Sequence, residues 1–220
     1  MDEPRPRLVE RFTRAERTLH WSYALLFLIL LLSGLGLYLG PGDNPVLDRR
    51  ELMRTIHLDA AVALCALFLL VAAGSPGTLR RLWRDVEWFD RDDARWLARV
   101  WLPARLRRRP LPPQGRFNAG QKLNTVLTAA ATVGLTVTGT LMFGGGHLPT
   151  SLSGAADTWH LLLMKAMYPL VVGHLVIALL LPSTRGALRG IVTGRVMLDF
   201  ARRRHARWVD SLEGAEAERT

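Results

Sequence analysis

The sequence predicts an all-α membrane protein: a four-transmembrane-helix bundle with both termini cytoplasmic and amphipathic segments at the interface. Three observations predict it. Four apolar stretches approach or exceed the roughly 20 residues that cross a hydrocarbon core. The arginines fall in blocks between those stretches instead of covering one surface. Four of the six histidines lie inside the stretches, where an imidazole is expensive unless it faces a site.

Composition narrows the class. The 220 residues carry a net charge of +10 and 49% hydrophobic content, with a pI near 11.1. A basic pI alone would suit nucleic-acid binding, but the segregated arginines give a membrane pattern, so membrane lipids and not nucleic acid are the expected partners. The single cysteine, Cys65, sits in an apolar run, so no intrachain disulfide forms. There is no Cys-x-x-Cys-His motif, which excludes the usual covalent haem attachment. The N-terminal segment is long and charged, with no small-residue cleavage site, and reads as the lead-in to a retained first span.

The spans are expected at about 20–39, 54–73, 123–143 and 158–181. Helices are the only sensible reading, because a lone apolar strand cannot satisfy its backbone in lipid. Gly40-Pro41-Gly42-Asp43-Asn44-Pro45 breaks the chain after the first span; Gly144-Gly145-Gly146 through Ser153-Gly154 does so after the third. Arginines crowd the N-terminal segment, the loop at about 78–121 and the tail at about 185–220, while the loop after the third span has no Lys or Arg. The positive-inside rule puts both termini and the long loop in the cytoplasm, in one multi-pass membrane domain of residues 1–220. Within the loop, Leu82, Trp83, Val86 and Phe89, then Trp96, Leu97, Val100 and Trp101, recur at helical spacing among arginines. They read as interfacial helices on anionic headgroups, with a partner-docking face as the competing reading. The basic tail from Ile191 to Trp208 is expected near the same surface.

His160 and His174 stand 14 positions apart in the fourth span, which an α-helix converts to about 21 Å of rise and an offset near 40°. His20 opens the first span at the cytoplasmic end, and His57 opens the second from the far side. Topology therefore sorts the four into two pairs of matched depth, His20 with His174 and His57 with His160. Two bis-histidine metal sites would use that geometry; an interfacial or packed histidine is the plain reading of any one alone. His147 and His205 are expected to be solvated or at headgroup level.

A porphyrin needs room as well as ligands. Gly34 lies 14 positions beyond His20, on the same face but at the depth of the opposite site, where a missing side chain would admit the macrocycle. Gly134, Gly139 and Gly173 are further candidates, with small-residue helix packing as the alternative. Filled axial positions favour electron transfer over oxygen chemistry, and single histidines without thiolates or carboxylates do not suit zinc. Pro169 is expected to kink the fourth span. Asp59 and Lys165, charges within spans, are expected to pair.

Certain residues add a resemblance that covers nearly the whole chain. They are Arg11-Phe12, Thr18-Leu19-His20-Trp21, Ile56-His57, Arg116-Phe117-Asn118-Ala119-Gly120-Gln121-Lys122, the His160/His174 spacing and His205-Ala206-Arg207-Trp208. The sequence resembles the cytochrome b (gamma) subunit of membrane-bound formate dehydrogenase, in the dihaem b-type cytochrome group that includes hydrogenase cytochrome subunits. The resemblance implies two haem b groups, a periplasmic-side one held by His57 and His160 and a cytoplasmic-side one held by His20 and His174. It also implies a quinone site (menaquinone or ubiquinone) beside the inner haem, at Asn118, Gly120, Gln121 and His174. A plain helix N-terminus with polar caps is the alternative for that segment.

Together these give an electron-transferring, quinone-reducing subunit of an oxidoreductase complex in the inner membrane. Its expected partners are iron–sulfur and catalytic dehydrogenase subunits. Nothing in the chain offers a molybdenum or nucleotide site, so formate oxidation belongs elsewhere. The alternatives are the cytochrome b subunit of a hydrogenase or other respiratory oxidoreductase, a haem-free histidine-bearing transporter or metal protein, and a four-span scaffold.

Overall fold

The structure, a computed structural model, describes residues 7–39, 49–87, 89–103, 105, 109–144, 147 and 149–218. The expected break at 40–45, and Arg107, Arg108, Gly145 and Gly146, lie outside these. Four helices are long and apolar enough to cross a membrane: α1 (Arg14–Tyr38), α2 (Arg50–Gly74), α5 (Ala119–Phe143) and α6 (Thr150–Leu175). Between them lie α3 (Pro76–Glu87) and α4 (Arg91–Val100). Each spanning helix starts four to eight residues before its apolar stretch, because backbone hydrogen bonding continues through the charged headgroup turn that hydropathy leaves out. A π-type turn, Val176–Leu180, prolongs α6. Pro169 lies inside α6, which stays helical on both sides of it.

The chain divides into two compact units. The first comprises Ala15–Leu79 and Thr128–Gly173, and so holds most of the four spans. Its buried seam joins Phe27 and Leu31 of α1, Ala131 of α5, and Met164 and Met167 of α6. A Cβ at Gly134 would stand 2.7 Å from Leu163 Cδ1, so this glycine lets α5 and α6 approach. Two polar ties cross the seam: Tyr23 OH donates to Thr132 Oγ1 at 2.7 Å, and Tyr168 OH to the Leu31 carbonyl at 2.8 Å. Large apolar side chains such as Leu69, Leu70 and Val133 face outward, as lipid-facing residues do. Lys165 does not pair with Asp59. Its ammonium stands 4.9 Å over the Tyr38 ring, a cation–π contact that spares the cation an apolar face, and Asp59 is exposed.

The second unit comprises Met1–Arg14, Arg80–Leu127 and His174–Thr220. Here strand β1 (Leu8–Glu10) pairs antiparallel with β2 (Arg195–Met197), with Val9 opposite Val196. Helix α7 (Arg185–Thr193) ends at Gly194, whose φ of 86° suits glycine. The Gly194 carbonyl accepts from the Arg11 and Phe12 amides at 2.8 and 3.1 Å. Helices α8 (Leu198–Arg204) and α9 (Ala206–Ala217) then pack Leu198, Ala201, Trp208 and Val209 around Val196. The tail thus folds into a small core closed by the N-terminal strand. His205 lies at its centre, 1% exposed, and donates from Nδ1 to the Gly115 carbonyl at 2.8 Å. The expectation that it is solvated is overturned: three arginines before it masked a core position. Burial lowers its pKa to about 3, helped by the positive charges of Arg11 and Arg204.

Helix α4 starts with a capping box in which Asp90 and Asp93 exchange side-chain and backbone hydrogen bonds. Arg207 binds Asp90 at 2.6 Å and Asp92 at 3.0 Å, fastening α9 to this terminus. Lys122 reaches the buried Asp93 at 2.8 Å, fastening α5 to it as well.

Candidate functional site

The spanning unit brings His57 on α2 and His160 on α6 together, ring centres 6.3 Å apart and planes 69° apart. One metal could take both imidazoles only if their ring centres stand no more than roughly 6.3 Å apart, given metal–nitrogen bonds of about 2.0–2.1 Å and about 1.1 Å from nitrogen to ring centre. The observed separation meets that requirement. Among the described residues no three His, Cys, Asp or Glu side chains cluster, so His57 and His160 stand here as a two-imidazole set.

Each ring is held from behind in the same way. Ser33 Oγ donates to the Ile29 carbonyl at 2.7 Å and Thr138 Oγ1 to the Gly134 carbonyl at 2.7 Å. Each hydroxyl, its proton spent, then accepts from an imidazole: His57 Nδ1 to Ser33 and His160 Nδ1 to Thr138, both at 2.9 Å. Holding Nδ1 as the protonated nitrogen leaves Nε2 with the free lone pair, the form in which an imidazole can take a metal. The residue after each hydroxyl is a glycine. A Cβ at Gly34 would lie 3.4 Å from His57 Cε1 and 3.6 Å from Met164 Sδ; one at Gly139 would lie 3.2 Å from His160 Cε1. Gly34 therefore stands beside the His57 ring. Gly173, by contrast, has nothing within 4 Å of its would-be Cβ. The donor set, the ring spacing and the glycine cradles fit a bis-histidine haem. Ser33 and Thr138 escape a sequence reading, since a lone hydroxyl in a span usually bonds only its own helix; the repeated hydroxyl–glycine dipeptide, Ser33-Gly34, is the one available signal, with Thr138-Gly139 its counterpart.

The other pair is described residue by residue. His20 lies on α1, half-buried, its ring edge-on to Trp21 with centres 5.3 Å apart. His174 lies near the end of α6 and is exposed. The two belong to different compact units.

The Asn118–Gln121 segment forms the N-terminus of α5. Asn118 Oδ1 accepts from the Gln121 amide at 2.9 Å, and Gln121 Oε1 accepts from the Asn118 amide at 3.1 Å, a reciprocal cap. Arg11 Nη2 also donates to Gln121 Oε1 at 3.2 Å. Both amide oxygens are thereby occupied, and each side-chain NH2 remains as a donor. A Cβ at Gly120 would lie 3.3 Å from Asn118 Oδ1 and 3.3 Å from the Trp96 ring, so its bareness lets α4 approach.

Four spanning helices and a facing pair of tautomer-fixed imidazoles define a class, the multi-pass helical membrane proteins with paired histidines between spans. Residues 11–194 match the prokaryotic cytochrome b561 family, and the chain belongs to it. Among curated proteins, it is similar to the cytochrome b556(Fdn) subunit of the nitrate-inducible formate dehydrogenase of Escherichia coli strain K12. The identity is 20%, covering 97% of this chain and 95% of the relative. The cytochrome b556(fdo) subunit of formate dehydrogenase from the same organism is 25% identical, covering 91% of each. The formate dehydrogenase cytochrome b556 subunit of Haemophilus influenzae is 24% identical, covering 92% of this chain and 82% of the relative.

Proposed function

We propose that this chain is the membrane cytochrome b subunit of a formate dehydrogenase-type complex. It carries electrons from an outer-face iron–sulfur partner to a quinone reduced near the cytoplasmic face of the inner membrane. The reading rests chiefly on the His57/His160 pair, with ring centres at 6.3 Å and both Nδ1 atoms engaged. Haem b, two per chain, would supply one-electron transfer when bound, with no open coordination position. His57 and His160 hold the outer group and His20 and His174 the inner one; Ser33 and Thr138 orient the outer ligands; Gly34 and Gly139 keep the ring edges clear. Asn118 and Gln121 present their amide NH2 groups to a quinone carbonyl, while Gly120 admits Trp96 alongside. Inward movement of a negative charge is electrogenic, worth about 2.3 kcal/mol per charge per 100 mV for full traversal.

The test is a reduced-minus-oxidised spectrum with haem stoichiometry on the wild type and on single alanine variants of His20, His57, His160 and His174. Two haems in the wild type and one or none in each variant are expected. Absence of a b-type alpha band would sink the cytochrome reading, and two haems in His174→Ala would refute the inner ligand assignment.

A further inference from the structure

Gln121 Oε1 receives two donors, where a helix cap needs one. The Asn118 amide reaches it at 3.1 Å and closes the cap at the start of α5. Arg11 Nη2 reaches the same oxygen at 3.2 Å, from 110 positions away in the chain. Arg11 is 2% exposed, and its guanidinium carbon stands 5.1 Å over the Phe12 ring. Nη2 also donates to the Arg116 carbonyl at 2.6 Å, while Arg116 Nη1 donates back to the Arg11 carbonyl at 2.9 Å. The Arg11 amide is tied in turn to the Gly194 carbonyl at 2.8 Å. Backbone and side chain are both fixed, so Nη2 is held where it meets Gln121.

The second donor does two things that capping does not require. It fixes the orientation of the Gln121 amide, because NH2 cannot accept and a flipped amide would face two donors. Nε2, with its two hydrogens, is then the end left to donate, on a side chain only half-buried. The same bond places a cation on the amide oxygen. Burial, and the positive charge of Arg116, lower the Arg11 pKa to about 9, still high enough to keep its proton at neutral pH. A charged donor on the oxygen polarises the amide and strengthens its N–H groups, most of all toward an acceptor that gains negative charge. A quinone carbonyl being reduced is such an acceptor. Asn118 Oδ1, by contrast, takes the neutral Gln121 backbone amide at 2.9 Å.

We propose that Arg11 is a positioning residue for quinone reduction and acts through Gln121. It sets the orientation of that amide and strengthens its N–H groups as donors to the quinone carbonyl. The inference rests on the reading of Gln121 as a quinone donor, and the experiment separates the two claims. Loss of Arg11 and loss of Gln121 remove one and the same contribution.

The haem-loaded full chain in nanodiscs is reduced and mixed with excess ubiquinone-1, and haem reoxidation is followed by stopped flow at matched haem content. Gln121→Ala should slow reoxidation about tenfold or more. Arg11→Lys, which keeps the charge but not the guanidinium fork, should slow it about three- to tenfold. The decisive protein is Arg11→Lys/Gln121→Ala, which should be no slower than Gln121→Ala alone. An Arg11 that serves the fold and not the amide would instead multiply the two losses. Arg11→Met, which fills the same buried space without a donor, repeats the cycle and keeps it readable if the lysine variant fails to hold haem. Multiplied losses overturn the proposal, as does a wild-type rate in both Arg11 variants beside a slow Gln121→Ala. A wild-type rate in Gln121→Ala removes the quinone reading of that amide, and with it the role of Arg11.

Discussion

His57 Nδ1 donates to Ser33 Oγ at 2.9 Å, and Ser33 has already given its own proton to the Ile29 carbonyl. That order of donors leaves one arrangement, with Nε2 of His57 bare. Thr138 does the same for His160. Replacing Ser33 by Ala, or Thr138 by Val, should lower haem affinity roughly 10–100-fold, the usual effect of removing an outer-sphere partner of a metal-bound histidine. Haem-to-protein ratio after gel filtration measures it, and a potentiometric titration should show only one of two midpoints displaced. A double variant with full haem and unaltered midpoints would remove the hydroxyls from the account.

The glycines separate by position. Gly34→Val adds methyl groups beyond a Cβ that already stands 3.4 Å from His57 and 3.6 Å from Met164. The ring must rotate off its Ser33 partner, so the outer haem should be lost while the chain still folds. Gly173→Ala meets nothing within 4 Å, and should be neutral or stabilise α6 by about 0.5–1 kcal/mol. Optical spectra and unfolding curves of the two variants, taken together, check both halves. A Gly34→Val protein with an intact spectrum would contradict the cradle.

These contacts show what was legible in the sequence. Four spans and their polarity of charge are visible because the bilayer forces long apolar runs, and helix arithmetic then matches His57 with His160 in depth. Ser33 and Thr138 are not visible, because their role depends on which face of α1 and α5 meets α2 and α6. His205 misleads for another reason. It sits after three arginines, a context that reads as solvated, yet the β1–β2 pairing turns this region into a small core. Charge blocks report the side of the membrane, not whether a given residue is buried there.

His205 makes stability depend on pH. Its folded pKa of about 3 lies below the unfolded value of about 6.5, so between those limits the unfolded chain binds the extra proton. The stability of the neutral ring is fully present above about pH 6.5 and falls as pH drops toward 3, by about 2 kcal/mol at pH 5. His205→Gln can still donate to the Gly115 carbonyl and carries no titrating group. Urea unfolding of the two proteins between pH 7 and pH 5 should show a shallower decline in the variant; parallel declines would assign the acid sensitivity elsewhere.

Lys122 and Asp93 form an ion pair of 2.8 Å in which Asp93 is 1% exposed. Removing one partner strands a buried charge, and Lys122→Met should cost about 3–5 kcal/mol. Asp93→Asn/Lys122→Met strands none and should be the more stable of the two variants. Unfolding free energies of the wild type, both single variants and the double variant give the coupling directly, and strict additivity would mean that the pair is not energetically linked.

The last prediction separates helix cap from quinone ligand at the start of α5, where one side chain serves both readings. Asn118 Oδ1 caps the Gln121 amide at 2.9 Å, and Gln121 Oε1 returns the bond at 3.1 Å. Only oxygen is needed for the cap; only the NH2 groups can donate to a quinone carbonyl. Asn118→Ser keeps a capping oxygen and removes the donor, whereas Asn118→Ala removes both and should cost about 1 kcal/mol. Gln121→Glu likewise keeps the acceptor for Arg11 and for the Asn118 amide. If the amides bind quinone, Asn118→Ser and Gln121→Glu should fold like the wild type and retain haem, but slow reoxidation of the reduced haem by added quinone about tenfold or more. If they are caps alone, both will reoxidise at the wild-type rate, and only Asn118→Ala will differ, through stability.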